Sequence, residues 1–221
     1  MKKSEMAKKT IFVPARRKID LDKTSLAEIS KELPKNLAVV YSIQYEPLAK
    51  KVKEFLSGSH KVLLFRQVLG CSSLKLPPRV EAVLLVGSGK FHALGLASSL
   101  NVPIYLLWEN NFLKISEEEI KKFRARKKAA YMNYLASSKI GILVSLKRGQ
   151  QRLKQAFELK KKIEKKEKKR AYLFLADNIN VSEFENFKID CWINTACPRL
   201  DMDHPKIINA SELNGLNIYV G

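Results

Sequence analysis

Short, unbroken apolar runs recur along almost the whole chain, each followed by a stretch of amphipathic, charged sequence. LAVVYSI (37–43), KVLLF (61–65), EAVLLVG (81–87), VPIYLLW (102–108), IGILVSL (140–146) and AYLFLA (171–176) lack the strict polar–apolar alternation of strands with one wet face. Strands that are apolar throughout belong in a parallel sheet covered on both faces, with helices as crossovers and cover. The predicted fold is therefore α/β, with parallel sheets. Helices are expected from Thr24–Ser25 to a stop at ELPKN, over Pro47–Leu56 with Gly58 behind it, over Phe91–Leu100, over Glu117–Ala136, and from Gln150 onward. TIFVP (10–14) reads as a first strand, DCWINTAC (190–197) as a late one and KIINA (206–210) as a short last one.

The rhythm resets around Glu109–Ser116. This divides the chain into a basic tail (1–9), an α/β domain carrying Cys71 (10–110) and a second α/β domain carrying Cys197 (111–221). Units of about 100 residues are ordinary domain lengths. Each half has the same strand–helix rhythm, so two copies of one architecture are possible without a visible sequence repeat.

No apolar run approaches the ~18 residues that span a bilayer. The apolar segment Ile11–Pro14 is also shorter than the roughly 7–15 residues of a signal peptide. A cytoplasmic protein with no membrane partner is expected. Forty-one Lys and Arg stand against 22 Asp and Glu, a formal charge of +19. Such an excess points to an acidic partner, whether nucleic acid, ribonucleoprotein or acidic protein, or else to a surface kept soluble by charge. The densest run, KKKIEKKEKKR (160–170), extends a helical segment and has Glu among its lysines, which reads as a solvated helix end. Three cysteines, Cys71, Cys191 and Cys197, are too few for a disulfide framework, and no CxxC is present.

Ligands of open parallel sheets bind beyond the carboxyl ends of the strands. Four loops qualify: RQVLGCSS after Phe65, VGSGKFH after Leu85, LKRGQQR after Val144 and ACPRLDMDH after Ile193. VGSGKFH (86–92) sets two glycines before a helix, where backbone N–H groups can cradle an anion. It lacks the signature of a nucleotide-binding loop, and a plain tight turn explains it equally well. LKRGQQR (146–152) offers Gln150 in the first turn of a helix, or simply solvated polar residues. Cys71 and Cys197 each follow an apolar strand beside a turn-forming residue, Gly70 and Pro198. Cys191 suits a buried core thiol. In an extended segment it lies about 20 Å from Cys197, too far to share a metal. His60, His92 and His204 are dispersed and form neither a zinc motif nor a Ser-His-Asp arrangement. Of these, His92 is notable for opening the helix behind the glycine turn.

In their order and spacing, FRQVLGC (65–71), VGSGKFH (86–92), ILVSLKRGQ (142–150) and ACPRLDMDH (196–204) resemble the diphthamide-synthesis radical enzymes, the 2-(3-amino-3-carboxypropyl)histidine synthases; QYEPL (44–48) adds a weaker match. The resemblance implies three similar α/β domains, each giving one cysteine to a central [4Fe-4S] cluster. An open iron takes the methionine part of S-adenosylmethionine, and a 3-amino-3-carboxypropyl radical is delivered to a histidine of elongation factor 2. By position it implies Cys71 and Cys197 as metal ligands. It places Gly87, Gly89, His92, Gly149, Gln150, Pro198, Arg199 and Asp203 in segments facing the cofactor. Ser88 stands where the family commonly has Asp or Gly, and Arg148 where proline is frequent. The family's first domain and first cysteine have no counterpart in this sequence.

Three functions follow as expectations. The chain can be part of a split enzyme, an oligomer in which a separate chain supplies the missing domain and third cysteine. It can be a noncatalytic paralogue or accessory subunit of that enzyme. It can instead be a basic RNA- or ribosome-binding α/β protein, although it carries no RNP motif, KH loop or aromatic–basic interleaving.

Overall fold

The computed structural model describes residues 11, 13–69, 74–202 and 205–216. The described residues divide into two compact units, one ending at Ile115 and the other beginning at Ser116.

The first unit is a five-stranded sheet in the order β2-β1-β3-β4-β5. It comprises α1 (Lys23–Glu32), β1 (Asn36–Tyr41), α2 (Glu46–Leu56), β2 (Lys61–Gln67), β3 (Ala82–Val86), α3 (Lys90–Ser99), β4 (Ile104–Trp108) and β5 (Asn111–Lys114). β1 to β4 pair in parallel, whereas β5 turns back antiparallel on β4. Alternate residues of the buried strands feed opposite faces. Leu37, Val39, Leu84, Val86 and Leu107 pack in one core with Leu48, Val52 and Leu56 of α2. Local chemistry sets the helix starts: Asp22 accepts the Ser25 N–H at 2.7 Å ahead of α1, and Pro47 sits in the first turn of α2, where its missing N–H costs nothing.

The second unit is a four-stranded, wholly parallel sheet in the order β7-β6-β8-β9. Its elements are α4 (Glu117–Ala136), β6 (Lys139–Ser145), α5 (Leu153–Glu167), β7 (Arg170–Ala176), β8 (Cys191–Asn194) and β9 (Ile207–Asn209). α4 opens on a capping box between Ser116 and Glu119. α4 and α5 cover one face through Ala130, Tyr134, Ala156, Leu159 and Ile163. Leu143, Trp192 and Ile207 pack with Phe174 and Phe184 in a separate cluster.

Both sheets are wound alike. In each, the first strand lies between the second and the third, and the fourth follows the third. The parallel α/β architecture is as expected, and three particulars differ. Of TIFVP, Ile11 and Val13 are 84% and 82% exposed and not in a strand, while Thr10 and Phe12 lie outside the described residues. Pro14 lacks a ladder donor, and the chain is tied instead by the Arg17 N–H donating to the Gln44 carbonyl at 2.8 Å. Residues 111–115, expected in the second domain, belong to the first unit, because Glu109 takes a left-handed turn (φ 55°) that folds β5 onto β4. The strand expected over DCWINTAC stops at Asn194, whose side chain turns the backbone into a loop.

Candidate functional site

A doubly wound sheet has a crevice where successive crossovers leave one strand in opposite directions. In the first unit this falls between the carboxyl ends of β1 and β3, and in the second between those of β6 and β8. Most of the expected loops are found at these two places.

At the first crevice, Ser42 follows β1 and Gly87 follows β3. The Ser42 N–H donates to the Val86 carbonyl at 3.2 Å, and the Gly87 N–H to the Leu107 carbonyl at 3.0 Å. The Gly87 donor is thus committed to the sheet rather than to an anion. A Cβ on Gly87 would stand 3.0 Å from the Ser42 Oγ, so glycine permits the close approach of the two loops. Among the described residues that Oγ is buried without a hydrogen-bond partner. An unmade buried bond costs about 1–3 kcal/mol, so the hydroxyl is poised for a ligand or water. Gly89, with φ 85°, precedes α3, and His92 is the third residue of that helix, half-buried beside Phe91. Arg17 donates to the Tyr45 hydroxyl and to Glu109, both at 2.9 Å, bracing the loops after β1 and β4.

At the second crevice, Gly149 (φ 83°) forms a turn closed by the Gln150 N–H donating to the Lys147 carbonyl at 3.0 Å. This turn delays the helix: α5 begins at Leu153, so Gln150 and Arg152 precede its first turn instead of occupying it, and both are exposed. The loop after β8 is far more constrained. Asn194 and Asn209, facing one another at the ends of β8 and β9, are only 2% and 3% exposed. The Asn194 Nδ2 donates to the Asn209 Oδ1 and to the Cys197 carbonyl, both at 2.7 Å, while its Oδ1 accepts the Ala196 N–H at 2.9 Å. The Asn209 Nδ2 donates to the Pro198 carbonyl at 3.1 Å and to Glu212 at 3.1 Å. Thr195 donates from its Oγ1 to the Leu143 carbonyl at 2.7 Å. These buried groups hold a loop whose cysteine, Cys197, is exposed with a free thiol. Pro198 and exposed Arg199 open the short helical turn behind it.

Cys191 begins β8 and Cys197 lies beyond its carboxyl end, so the structure does not bring the two thiols together. Cys191 is fully buried, its Sγ donates to the Lys206 carbonyl at 3.4 Å, and burial pushes its thiol up to about 12. His60 is structural: its Nδ1 meets the Pro34 carbonyl at 2.9 Å and its Nε2 the Ser30 hydroxyl at 2.8 Å. Cys71, Asp203 and His204 lie outside the described residues. Among the described residues no three His, Cys, Asp or Glu side chains gather as a metal site. What they do provide is one accessible thiol on a rigid strand-end loop, the donor type that iron–sulfur clusters take. No described helix is long and apolar enough to cross a membrane.

Ser42, Asn194, Thr195 and Asn209 were not singled out in the sequence. Their only signal is position, since each is a polar residue at the end of an apolar run.

A family model described as diphthamide synthesis protein matches residues 1–211. The chain is 31% identical over 209 residues to the 2-(3-amino-3-carboxypropyl)histidine synthase of Pyrococcus horikoshii, covering 88% of this chain and 60% of the relative. Among solved structures, it is similar to Dph2 from Pyrococcus horikoshii with TM-score 0.79 and 29% identity, covering 93% of this chain and 64% of that one. It is also similar to the same protein solved with a 4Fe-4S cluster, with TM-score 0.74 and 28% identity, covering 88% and 62% of the two chains. The chain thus spans about 60% of the length of the curated relative it matches.

Proposed function

Because the chain belongs to the diphthamide synthesis protein family, we propose that it is a two-domain part of a 2-(3-amino-3-carboxypropyl)histidine synthase. In this reading it transfers the 3-amino-3-carboxypropyl group of S-adenosylmethionine to a histidine of elongation factor 2. In this reading a third domain with a third cysteine completes the cluster site. The observation that carries the reading is the accessible Cys197 thiol on a loop fixed by two buried asparagines.

A bound [4Fe-4S] cluster supplies one-electron reduction and an iron open to substrate. The chain's own residues do the rest. Cys197 and Cys71 are its thiolate ligands. Asn194 and Asn209 hold the Cys197 loop in one conformation, so little ordering remains when the thiolate is engaged. Gly89, His92, Gly149, Gln150, Pro198, Arg199 and Asp203 lie in the segments that contact S-adenosylmethionine. Gly87 acts through its lack of a side chain, which leaves the Ser42 hydroxyl room to meet a ligand.

The test is anaerobic reconstitution of the chain, alone and with a candidate single-domain partner of about 100 residues. Iron per chain and dithionite-dependent cleavage of S-adenosylmethionine are measured. Cluster loading that rises with the partner and is lost in Cys71→Ala and Cys197→Ala supports the reading. No cluster in either condition, or one indifferent to both substitutions, overturns it in favour of a noncatalytic family member.

A further inference from the structure

Between Lys147 and Arg170 the chain carries 12 Lys and Arg against three Glu, a net +9 and nearly half of the whole excess. The structure shows how this charge is displayed. α5 buries Ala156, Leu159 and Ile163 against its sheet. Lys154, Lys161 and Lys165, spaced seven and four residues apart, fall in one line on the opposite, solvent side, with exposed Glu158 between the first two. The line runs about 16 Å at 1.5 Å per residue. All three are exposed, and none forms an ion pair among the described residues. Phe157, three residues after Lys154 and four before Lys161, is 48% exposed on the same side.

This arrangement does not serve the helix. Lys161 and Lys165, like Lys162 and Lys166, are like charges at i,i+4, which cost a helix about 0.2–0.5 kcal/mol per pair. Arg152 and Lys154 add positive charge at the positive end of the helix dipole, where no acidic residue stands in the first turn. Glu158 also stands exposed on this face, yet the three lysines leave it with an excess of positive charge, whereas Lys160 and Glu164 pair one to one at 2.7 Å. Protein–protein interface cores are depleted in lysine, whereas a row of ammonium groups about 10 and 6 Å apart along the helix axis suits a chain of phosphates. An exposed aromatic among them gives an unpaired base a stacking surface.

We propose that the outer face of α5, with Lys154, Phe157, Lys161 and Lys165 at its centre, binds the phosphate backbone of single-stranded RNA. This is a property of the second unit and is independent of cluster binding.

The probe is a fluorescein-labelled 20-nucleotide single-stranded RNA, titrated with the full chain and followed by anisotropy over a range of KCl concentrations. Lys154→Ala/Lys161→Ala/Lys165→Ala lowers the slope of log K against log salt by about 2, at roughly 0.7 per lost single-strand contact. At 0.1 M salt this weakens binding about 100-fold. Phe157→Ala weakens binding at least fivefold without changing the slope. Lys121→Ala/Lys122→Ala/Lys128→Ala on α4, with the same change in charge, keeps the wild-type slope. An unchanged slope in the α5 variant overturns the proposal, as does an equal loss in the α4 variant. Displacement of the RNA by polyglutamate at equal charge concentration also overturns it, in favour of an acidic protein partner.

Discussion

The Asn194 side chain reaches across from β8 to donate to the Asn209 Oδ1 on β9 at 2.7 Å, and each amide then grips a different carbonyl of the Cys197–Pro198 turn. Two buried amides at adjacent strand ends therefore fix the loop that presents the exposed thiol. Removing either leaves its partner and a loop carbonyl with unmet hydrogen bonds. Asn194→Ala and Asn209→Ala are each expected to cost about 2 kcal/mol in urea unfolding. A double-mutant cycle should return roughly 1 kcal/mol of coupling. Cys197 should also alkylate at a changed rate in both variants, while a surface change such as Lys188→Ala leaves that rate alone.

Gly141 pairs with Trp192 across β6 and β8, and a Cβ there would lie 2.3 Å from two atoms of the indole ring. The sheet backbone cannot retreat from a ring packed among Leu143, Ile207 and Phe174. Gly141→Ala should lose about 3 kcal/mol, the upper part of the overpacking range, read as a lowered denaturation midpoint at constant m-value.

The cysteines should separate cleanly by accessibility. In a Cys71→Ser background at pH 8, iodoacetamide should modify Cys197 in the native protein and reach Cys191 only after denaturant is added, as mass spectrometry would show. Burial raises the Cys191 thiol to about 12 from an unfolded value of about 8.5. Its neutral form is favoured by folding, so its contribution is complete below about pH 8.5 and declines as pH rises toward 12. Cys191→Ala should flatten that alkaline decline.

Asp190 behaves in the opposite sense. Its Oδ2 accepts the N–H groups of Lys139 at 2.8 Å and Ser138 at 3.0 Å, and these bonds hold its carboxyl below the usual carboxylate range. The stability it gives is present above about pH 4 and is lost as acid protonates the folded carboxylate. Asp190→Asn should cost about 1 kcal/mol at pH 7, a figure reduced for solvent screening, and progressively less as acid protonates the folded carboxylate. Unfolding curves at several pH values would measure the difference.

Much of the fold was legible because its signals are local. The apolar runs located most of the strands, and the predicted helix Glu117–Ala136 agrees with α4 to the residue. The failures share one cause, which is that a short segment's fate depends on what it meets. NFLK becomes β5 only because Glu109 turns it back onto β4, and Ile11, Val13 and Pro14, the described residues of TIFVP, join no strand. At the site, cysteines and glycines announced themselves by type and position. Asn194 and Asn209 did not, since nothing in two asparagines 15 residues apart says that their amides meet. Ser42 was hidden in the same way, because its importance lies in a hydroxyl left unmatched against Gly87.

The shared winding of the two sheets has a consequence for how their loops divide the work. Equivalent strands, β3 and β8, end in different chemistry: a glycine turn that admits a neighbour's hydroxyl, and an amide-clamped turn that carries a thiol. A scaffold repeated within one chain offers the same strand ends twice, and here the two copies furnish them differently. One copy can therefore change its turn chemistry without disturbing the frame of the other.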